Sequence, residues 1–277
     1  MALRLMLAFL LLVAQGQQSE PPGQKGSESK KPYVEKSEKQ FAFYPGGKLE
    51  VVAAAPGNIR IVGWRNASIR VEIEKVFFYL APDQAQALSK RFPVHITNTQ
   101  TSARISTSGS TQPAATMEVN VLVYVPGEKT DLNVKMVKGD LSVASVSGWV
   151  EATLEEGNVE ARDLAGYFSG ITKQGDLTVE LSGPRWTGHS FTAATRRGSI
   201  DLKLPLDYSA VLQLETRDGK ISIDYPEQIV QGEPVPLAVA AKKKIRSVSA
   251  SIGAGGAPIR LTTFLGDIAL KGSGREQ

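Results

Sequence analysis

The segment Lys138–Glu180, KGDLSVASVSGWVEATLEEGNVEARDLAGYFSGITKQGDLTVE, places glycine at Gly139, Gly148, Gly157, Gly166 and Gly175, one every nine residues. This spacing constrains the fold more than any other feature of the chain. A strand of four or five residues plus a tight turn consumes about nine residues, at about 3.3 Å of rise per strand residue. Two such strands make a flattened coil of eighteen. Eighteen is the full register, because GDLSVASVSGWVEATLEE is followed by GNVEARDLAGYFSGITKQ and then by GDLTV.

The repeated unit is Gly-x-Φ-x-Φ, with Φ apolar. It recurs as GDLSV at Gly139, GNVEA at Gly157, GDLTV at Gly175, GSIDL at Gly198, GKISI at Gly219 and GDIAL at Gly266, with earlier copies at Gly47 and Gly57. Coils stacked at about 4.8 Å place equivalent residues above one another. Leu141, Val159 and Leu177 then form one inward column, and Val143, Ala161 and Val179 the next. The glycines mark a turn of positive φ or a close approach of successive backbones. Asp140, Asn158 and Asp176 follow them, as turn-forming side chains do. Thr172, Thr195, Thr216 and Thr263 each stand three residues before a repeat glycine, a place held by Met136 and Leu154 in earlier coils. A threonine ladder suits strand geometry and hydrogen bonding between coils. Later coils lengthen to 23 and 21 residues, and the interval from Gly219 to Gly266 is 47. The last contains an excursion, YPEQIVQGEPVPLAVAAKKKIRSVSASIGAGGAPIRL, of the kind that maps to a surface loop.

Upstream, MALRLMLAFLLLVAQG reads as a signal peptide over 1–16. Arg4 supplies the basic start, Leu5–Val13 is too short an apolar run to span a bilayer, and Ala14-Gln15-Gly16 gives the cleavage site. Residues 17–40 are polar and Pro/Gly/Ser-containing and read as a flexible leader. The remainder, 41–277, reads as one domain with an N-terminal part at 41–129 and repeat coils at 130–270. Alternating apolar residues at Leu49/Val51, Ile59/Ile61 and Ile69/Val71/Ile73 predict short strands. Pro82–Arg91, PDQAQALSKR, predicts the one helix. The fold class expected is therefore all-β, a stacked parallel β-solenoid with one short helix.

Chemistry is sparse. The chain has no cysteine, so disulfides, thiol catalysis and thiolate metal sites are excluded. The formal charge of +4 is small, and no clustered basic and aromatic pattern points to nucleic acid. His95 and His189 are far apart, and no G-x-S-x-G elbow occurs. The column Asp140, Asp176, Asp267 is interrupted by Asn158, Ser199 and Lys220, against a calcium ladder. Glu160, Glu180 and Asp201 are candidates for one outward column of carboxylates. No catalytic residue, metal site or cofactor is assigned. Candidate interaction residues are the aromatics Trp149 and Tyr167, at equivalent outward positions after Gly148 and Gly166, and the basic residues Arg196, Arg197, Lys242, Lys243, Lys244 and Arg246. Trp64 and Trp186 join Trp149 as possible sugar platforms.

The signal, the opening YPGGKLEV…GNIRIVGW, the ordered G-D/N-Φ-x-Φ coils and the closing GAGGAPIRLTTFLGDIAL together resemble the bacterial "putative adhesin" family, over roughly Phe41 to Leu270. That resemblance implies an exported, non-enzymatic β-solenoid, sometimes called the toast-rack, and brings no functional residues with it. The function expected is an extracytoplasmic binding or scaffold module, periplasmic or at the cell surface. Its partner would be an envelope protein or an anionic envelope glycan or lipid. Related solenoid domains in envelope-stress regulators suggest a sensing or partner-regulating domain as the alternative. A polysaccharide-active β-helix enzyme stands third.

Overall fold

The computed structural model describes residues 31–108, 116–225, 230–231 and 246–273. The signal peptide, residues 17–30 of the leader and Lys242–Lys244 lie outside the described residues. The description below concerns the unit Lys31–Gln277.

The strands run in chain order. The first seven are β1 (Tyr33–Ala42), β2 (Lys48–Ala53), β3 (Ile59–Trp64), β4 (Ser68–Phe77), β5 (Val94–Asn98), β6 (Ser102–Thr107) and β7 (Met117–Pro126), with helix α1 (Pro82–Arg91) between β4 and β5. The repeat region supplies β8 (Asp131–Lys138), β9 (Leu141–Ala144), β10 (Ser147–Glu156), β11 (Val159–Arg162), β12 (Ala165–Gln174), β13 (Leu177–Glu180), β14 (Gly188–Arg197) and β15 (Ile200–Pro205). The chain continues with β16 (Ala210–Asp218), β17 (Ile221–Asp224), β18 (Val230–Gln231), β19 (Ser247–Ile252), β20 (Pro258–Leu265) and β21 (Ile268–Ser273).

These strands form two large, mostly parallel sheets. The first has ten strands in the order β1-β4-β7-β3-β9-β11-β13-β15-β21-β17, and the second has eleven in the order β18-β19-β16-β20-β14-β12-β10-β8-β2-β6-β5. From β8 to β17 the chain alternates between the sheets, one short strand after each repeat glycine and one long strand before it. The register is the one the spacing predicts: Val159 pairs with Leu141 on one side and Leu177 on the other, and Ala161 with Val143 and Val179. All six are buried, in a single apolar core that both sheets share. Antiparallel pairing is confined to β1–β4–β7 and β5–β6 at one end and to β16–β19–β18 at the other.

The glycine spacing has a direct physical cause. Gly175 holds φ at +147°, and a Cβ there would meet the Gly157 carbonyl, its carbon at 2.5 Å. Gly157 stands likewise on Gly139, and Gly139 on Gly57. The residues after these glycines do not close their own turns, as the sequence reading has it. Each side chain accepts a hydrogen bond from the backbone N–H of the equivalent residue one coil on: Asp140 Oδ1 from Asn158, Asn158 Oδ1 from Asp176, and Asp176 Oδ1 from Ser199, at 2.8, 2.9 and 2.7 Å. The threonines also bond between coils, but to backbone rather than to each other. Thr172, Thr195, Thr263 and Thr216 donate to the carbonyls of Gly157, Gly175, Gly198 and Gly266 at 2.8–3.0 Å.

Two arrangements differ from expectation. The repeats do not all pair in chain order: β20 and β21, the last repeat, insert between β14/β15 and β16/β17. The glycine column therefore runs Gly175, Gly198, Gly266, Gly219. The 47-residue interval permits this, because the chain needs length to travel past one coil and return. At the other end, Tyr33–Gln40 of the segment read as leader lies in β1, the edge strand of the first sheet, paired over ten residues with β4. Its exposed Lys36, Glu38 and Lys39 are charges suited to a sheet edge. The helix spans Pro82–Arg91 as expected, with Pro82 at its first turn and Gln84 Oε1 accepting the Ala81 N–H. It buries Ala85 in the core, and Ser89 holds the ammonium of the buried Lys75 of β4 through its Oγ and carbonyl, at 2.9 and 3.1 Å.

Candidate binding surfaces

Parallel pairing in register turns each outward position into a row across the sheet. At the start of β10 and β12, Trp149 pairs with Tyr167. Inward neighbours Val150 and Phe168 are fully buried, so the two aromatics point outward, and Trp149 is 46% exposed. Their rings stack with centroids 3.9 Å apart and 20° between planes. Trp149 Nε1 donates to Glu151 Oε1 at 3.0 Å, and Asn133 Nδ2 donates to Glu151 Oε2 at 3.1 Å. The backbone N–H of Trp149 is held by Asp131 Oδ1 at 2.9 Å. These bonds hold Trp149 in place, with Tyr167 stacked on it. It borders a groove of about 410 Å3, also lined by Lys129, Asp131 and His189. His189 comes to the aromatics because the register between β12 and β14 shifts there, pairing Gly166 with Gly188 but Tyr167 with Ser190.

The other two tryptophans are placed differently. Trp186 is buried, packs edge-on against Phe191 and donates to the Gly166 carbonyl at 3.2 Å. Trp64 stacks on Tyr124, and the Arg70 guanidinium lies over both rings.

The basic candidates divide. Arg196 and Arg246, fifty residues apart in sequence, line one groove of about 650 Å3 on the outer face of the second sheet. Lys173, Arg217, Ile171 and Phe264 line it with them. Arg197 lies one residue on at the corner, in register with Leu265. Sequence reading missed Lys173, Arg217 and Phe264, although a signal was present. Lys173, Arg196, Arg217 and Phe264 each stand two residues before a repeat glycine, beside the threonine column already recognised.

The carboxylates do not form the single column expected. Glu160 and Asp201 flank Thr178 in one row, whereas Glu180 lies in the next, between Arg162 and Lys203. The error is one of offset along the strand and not of face, since positions three and five after the glycine point the same way but lie two residues apart. Arg162 bonds Glu160 and approaches Glu180 at 3.9 Å, and Lys271 pairs with Asp201 at 3.3 Å. Asp140 and Asp176 are committed to the backbone ladder, and no cluster able to hold a metal occurs among the described residues. A groove of about 830 Å3 crosses the outer face of the first sheet between Glu38 and Thr178. Its floor is a mixed row of Glu72, Leu122, Arg60, Ser142 and Glu160. Among the described residues no helix is long and apolar enough to cross a membrane.

No protein-family profile matches the chain, and no curated protein matches it. Solved structures are similar over most of its length. One, from Clostridium sporogenes and named a "putative cell adhesion protein", is 10% identical with a TM-score of 0.44, over 86% of this chain and 100% of that one. A "putative adhesin" from Bacteroides fragilis is 14% identical with a TM-score of 0.28, over 85% and 97%. A "putative lipid binding protein" from Parabacteroides distasonis is 11% identical with a TM-score of 0.23, over 86% and 95%. Likeness this distant carries no argument about ligand or activity.

Proposed function

We propose that this chain is an exported, non-enzymatic binding module built as a β-solenoid. In this reading a signal peptide over 1–16 is removed and the body presents rows of side chains on two flat faces in the periplasm or at the cell surface. Support for the solenoid is the alternation of successive strands between the sheets, with each strand of the regular coils pairing with its equivalent eighteen residues on. The observation that carries the binding reading is the Trp149–Tyr167 pair. Two aromatic rings, held rigidly and left partly open beside a polar groove, suit the apolar face of a sugar ring, with Lys129, Asp131 and His189 in reach of its hydroxyls. The ligand class is an envelope glycan.

The test is binding of the purified protein to immobilised envelope polysaccharides. Trp149→Ala and Tyr167→Ala should each weaken it at least about tenfold, as loss of an aromatic anchor does. Retained affinity in both variants sinks the reading. Crosslinking in intact cells to one envelope protein, with no glycan recovered, would instead favour the sensing or partner-regulating alternative.

A further inference from the structure

The outer row that ends the long strands of the second sheet has a chemistry of its own. In spatial order it runs Val137, Glu155, Lys173, Arg196, Phe264, Arg217, by the register that pairs Met136 with Leu154, Leu154 with Thr172, Thr172 with Thr195, Thr195 with Thr263, and Thr263 with Thr216. The row changes character along its length. Glu155 holds Lys173 in an ion pair, whereas Arg196, Arg217 and Arg246 have no carboxylate partner among the described residues. The Arg217 guanidinium instead lies 4.4 Å from the centre of the Phe264 ring, which fixes the cation without neutralising it. Among the described residues Glu215 is the one acidic side chain lining the groove.

Apolar side chains are interleaved with these cations. Nine large hydrophobic residues are exposed among the described residues; Ile171 and Phe264 line this groove at 45% and 39% exposure, and Leu265, 39% exposed, follows Phe264 at the corner beside Arg197. Neighbouring strands lie about 4.8 Å apart and neighbouring rows on one face about 6.6 Å apart, so cations and apolar groups mix within one shallow surface. We propose that this face docks on an anionic lipid surface. Phosphates would meet Arg196, Arg217 and Arg246, while Ile171, Phe264 and Leu265 would enter the boundary between headgroups and acyl chains. A soluble polyanion would use the guanidiniums and leave the apolar groups in water, which is why the lipid surface is the better fit. The inference does not depend on the aromatic platform, since Tyr167 and Ile171–Lys173 lie toward opposite ends of β12.

The absence of cysteine makes a direct test available. Ile171→Cys carries a polarity-sensitive dye in the full chain, with Ser142→Cys on the outer face of the first sheet as the reference position. Vesicles containing phosphatidylglycerol should blue-shift and brighten the dye at 171, vesicles of phosphatidylcholine should not, and the dye at 142 should respond to neither. Adding Arg196→Glu with Arg217→Glu should weaken the response at least about thirtyfold, the loss expected when two basic groups leave an anionic surface. Phe264→Ser should weaken it with no change in charge. An unresponsive dye at 171, or an equal response at both positions, overturns the proposal. The same response to soluble polyphosphate without vesicles also overturns it, identifying a polyanion site. An unaltered affinity in the double charge reversal, with an unaltered melting temperature, does so too.

Discussion

Replacing Leu141 or Ser142 by aspartate puts the same charge on adjacent residues of β9, and the structure requires opposite outcomes. Leu141 is 1% exposed, wedged between Ile59 and Val159 in its column. Truncating a buried leucine costs about 2–5 kcal/mol. A buried polar group without partners adds about 1–3 kcal/mol more, and a charged one more still. The sum is a large part of the roughly 5–15 kcal/mol that stabilises a typical domain. In a domain of this size each kcal/mol moves Tm by about 2–4 °C, so Leu141→Asp should lower Tm by about 10 °C or more. Ser142 is half-buried, in register with Arg60 on one side and Glu160 on the other, and donates to Glu160 Oε2 at 3.2 Å. Ser142→Asp loses that bond and meets one like and one opposite charge, a change of about 1 kcal/mol or less. Thermal melts followed by circular dichroism separate the two. A pH series adds a check. Burial raises the folded pKa of an aspartate at 141, so its penalty grows as pH rises from about 4 through that raised value. The gap between Leu141→Asp and Leu141→Asn should therefore narrow in acid. Equal losses for Leu141→Asp and Ser142→Asp would refute the inward and outward assignment of β9, and with it the rows built on that register.

Other consequences can be measured by urea unfolding. Gly175→Ala should cost at least about 2 kcal/mol, combining strained φ with the Gly157 carbonyl in its path, whereas Gly183→Ala, at φ +73° with nothing within 4 Å, should cost only about 1–2 kcal/mol; equal costs would remove crowding between coils as the reason for the glycine column. Thr195→Val keeps the shape but removes the donor to Gly175, and should cost about 1 kcal/mol. No loss would mean that this hydroxyl contributes nothing between coils. Burial lowers the Lys75 pKa below its usual 10.5. The unfolded chain then binds the proton more tightly, so this penalty is complete below the lowered value and is relieved as pH rises from there to 10.5. Wild type should gain stability relative to Lys75→Met across that interval, and parallel curves would contradict a desolvated ammonium.

The regular coils were legible because each carries its own register. Glycine marks where backbones crowd, and the apolar residues two and four places later mark the inward face. The helix was legible from Pro82 and the lack of β-branched residues as far as Arg91. Strand order at the C-terminal end was not, because GSIDL, GKISI and GDIAL have the same pattern and any of the three could stack on another. Only the connecting segment decides which coil sits between, and its sequence carries no period. Strand β1 escaped notice because an edge strand buries little, so YVEKSEKQFA shows almost no alternation. Of the surfaces, the aromatic pair followed from a period of eighteen. Arg196 and Arg246 were seen as local clusters, and their convergence on Arg217 and Phe264 needed the row two residues before each glycine to be followed around the inserted coil.

That insertion gives the chain an order of events. Strands β14 and β15 are complete when Pro205 has been made, and β16 and β17 when Asp224 has, yet neither pair lies beside the other. Between synthesis of Asp224 and arrival of Pro258–Ser273, both coils present open strand edges, the surfaces on which chains associate wrongly. A chain delivered N-terminus first can assemble its regular coils as they emerge, but must hold this gap open, or keep β16 and β17 apart, until its last strands come through. A stop shortly before Pro258 would not simply shorten the stack by one coil, as trimming a terminal repeat does. It would take from β17 its only strand partner among the described residues and cut the second sheet between β14 and β16.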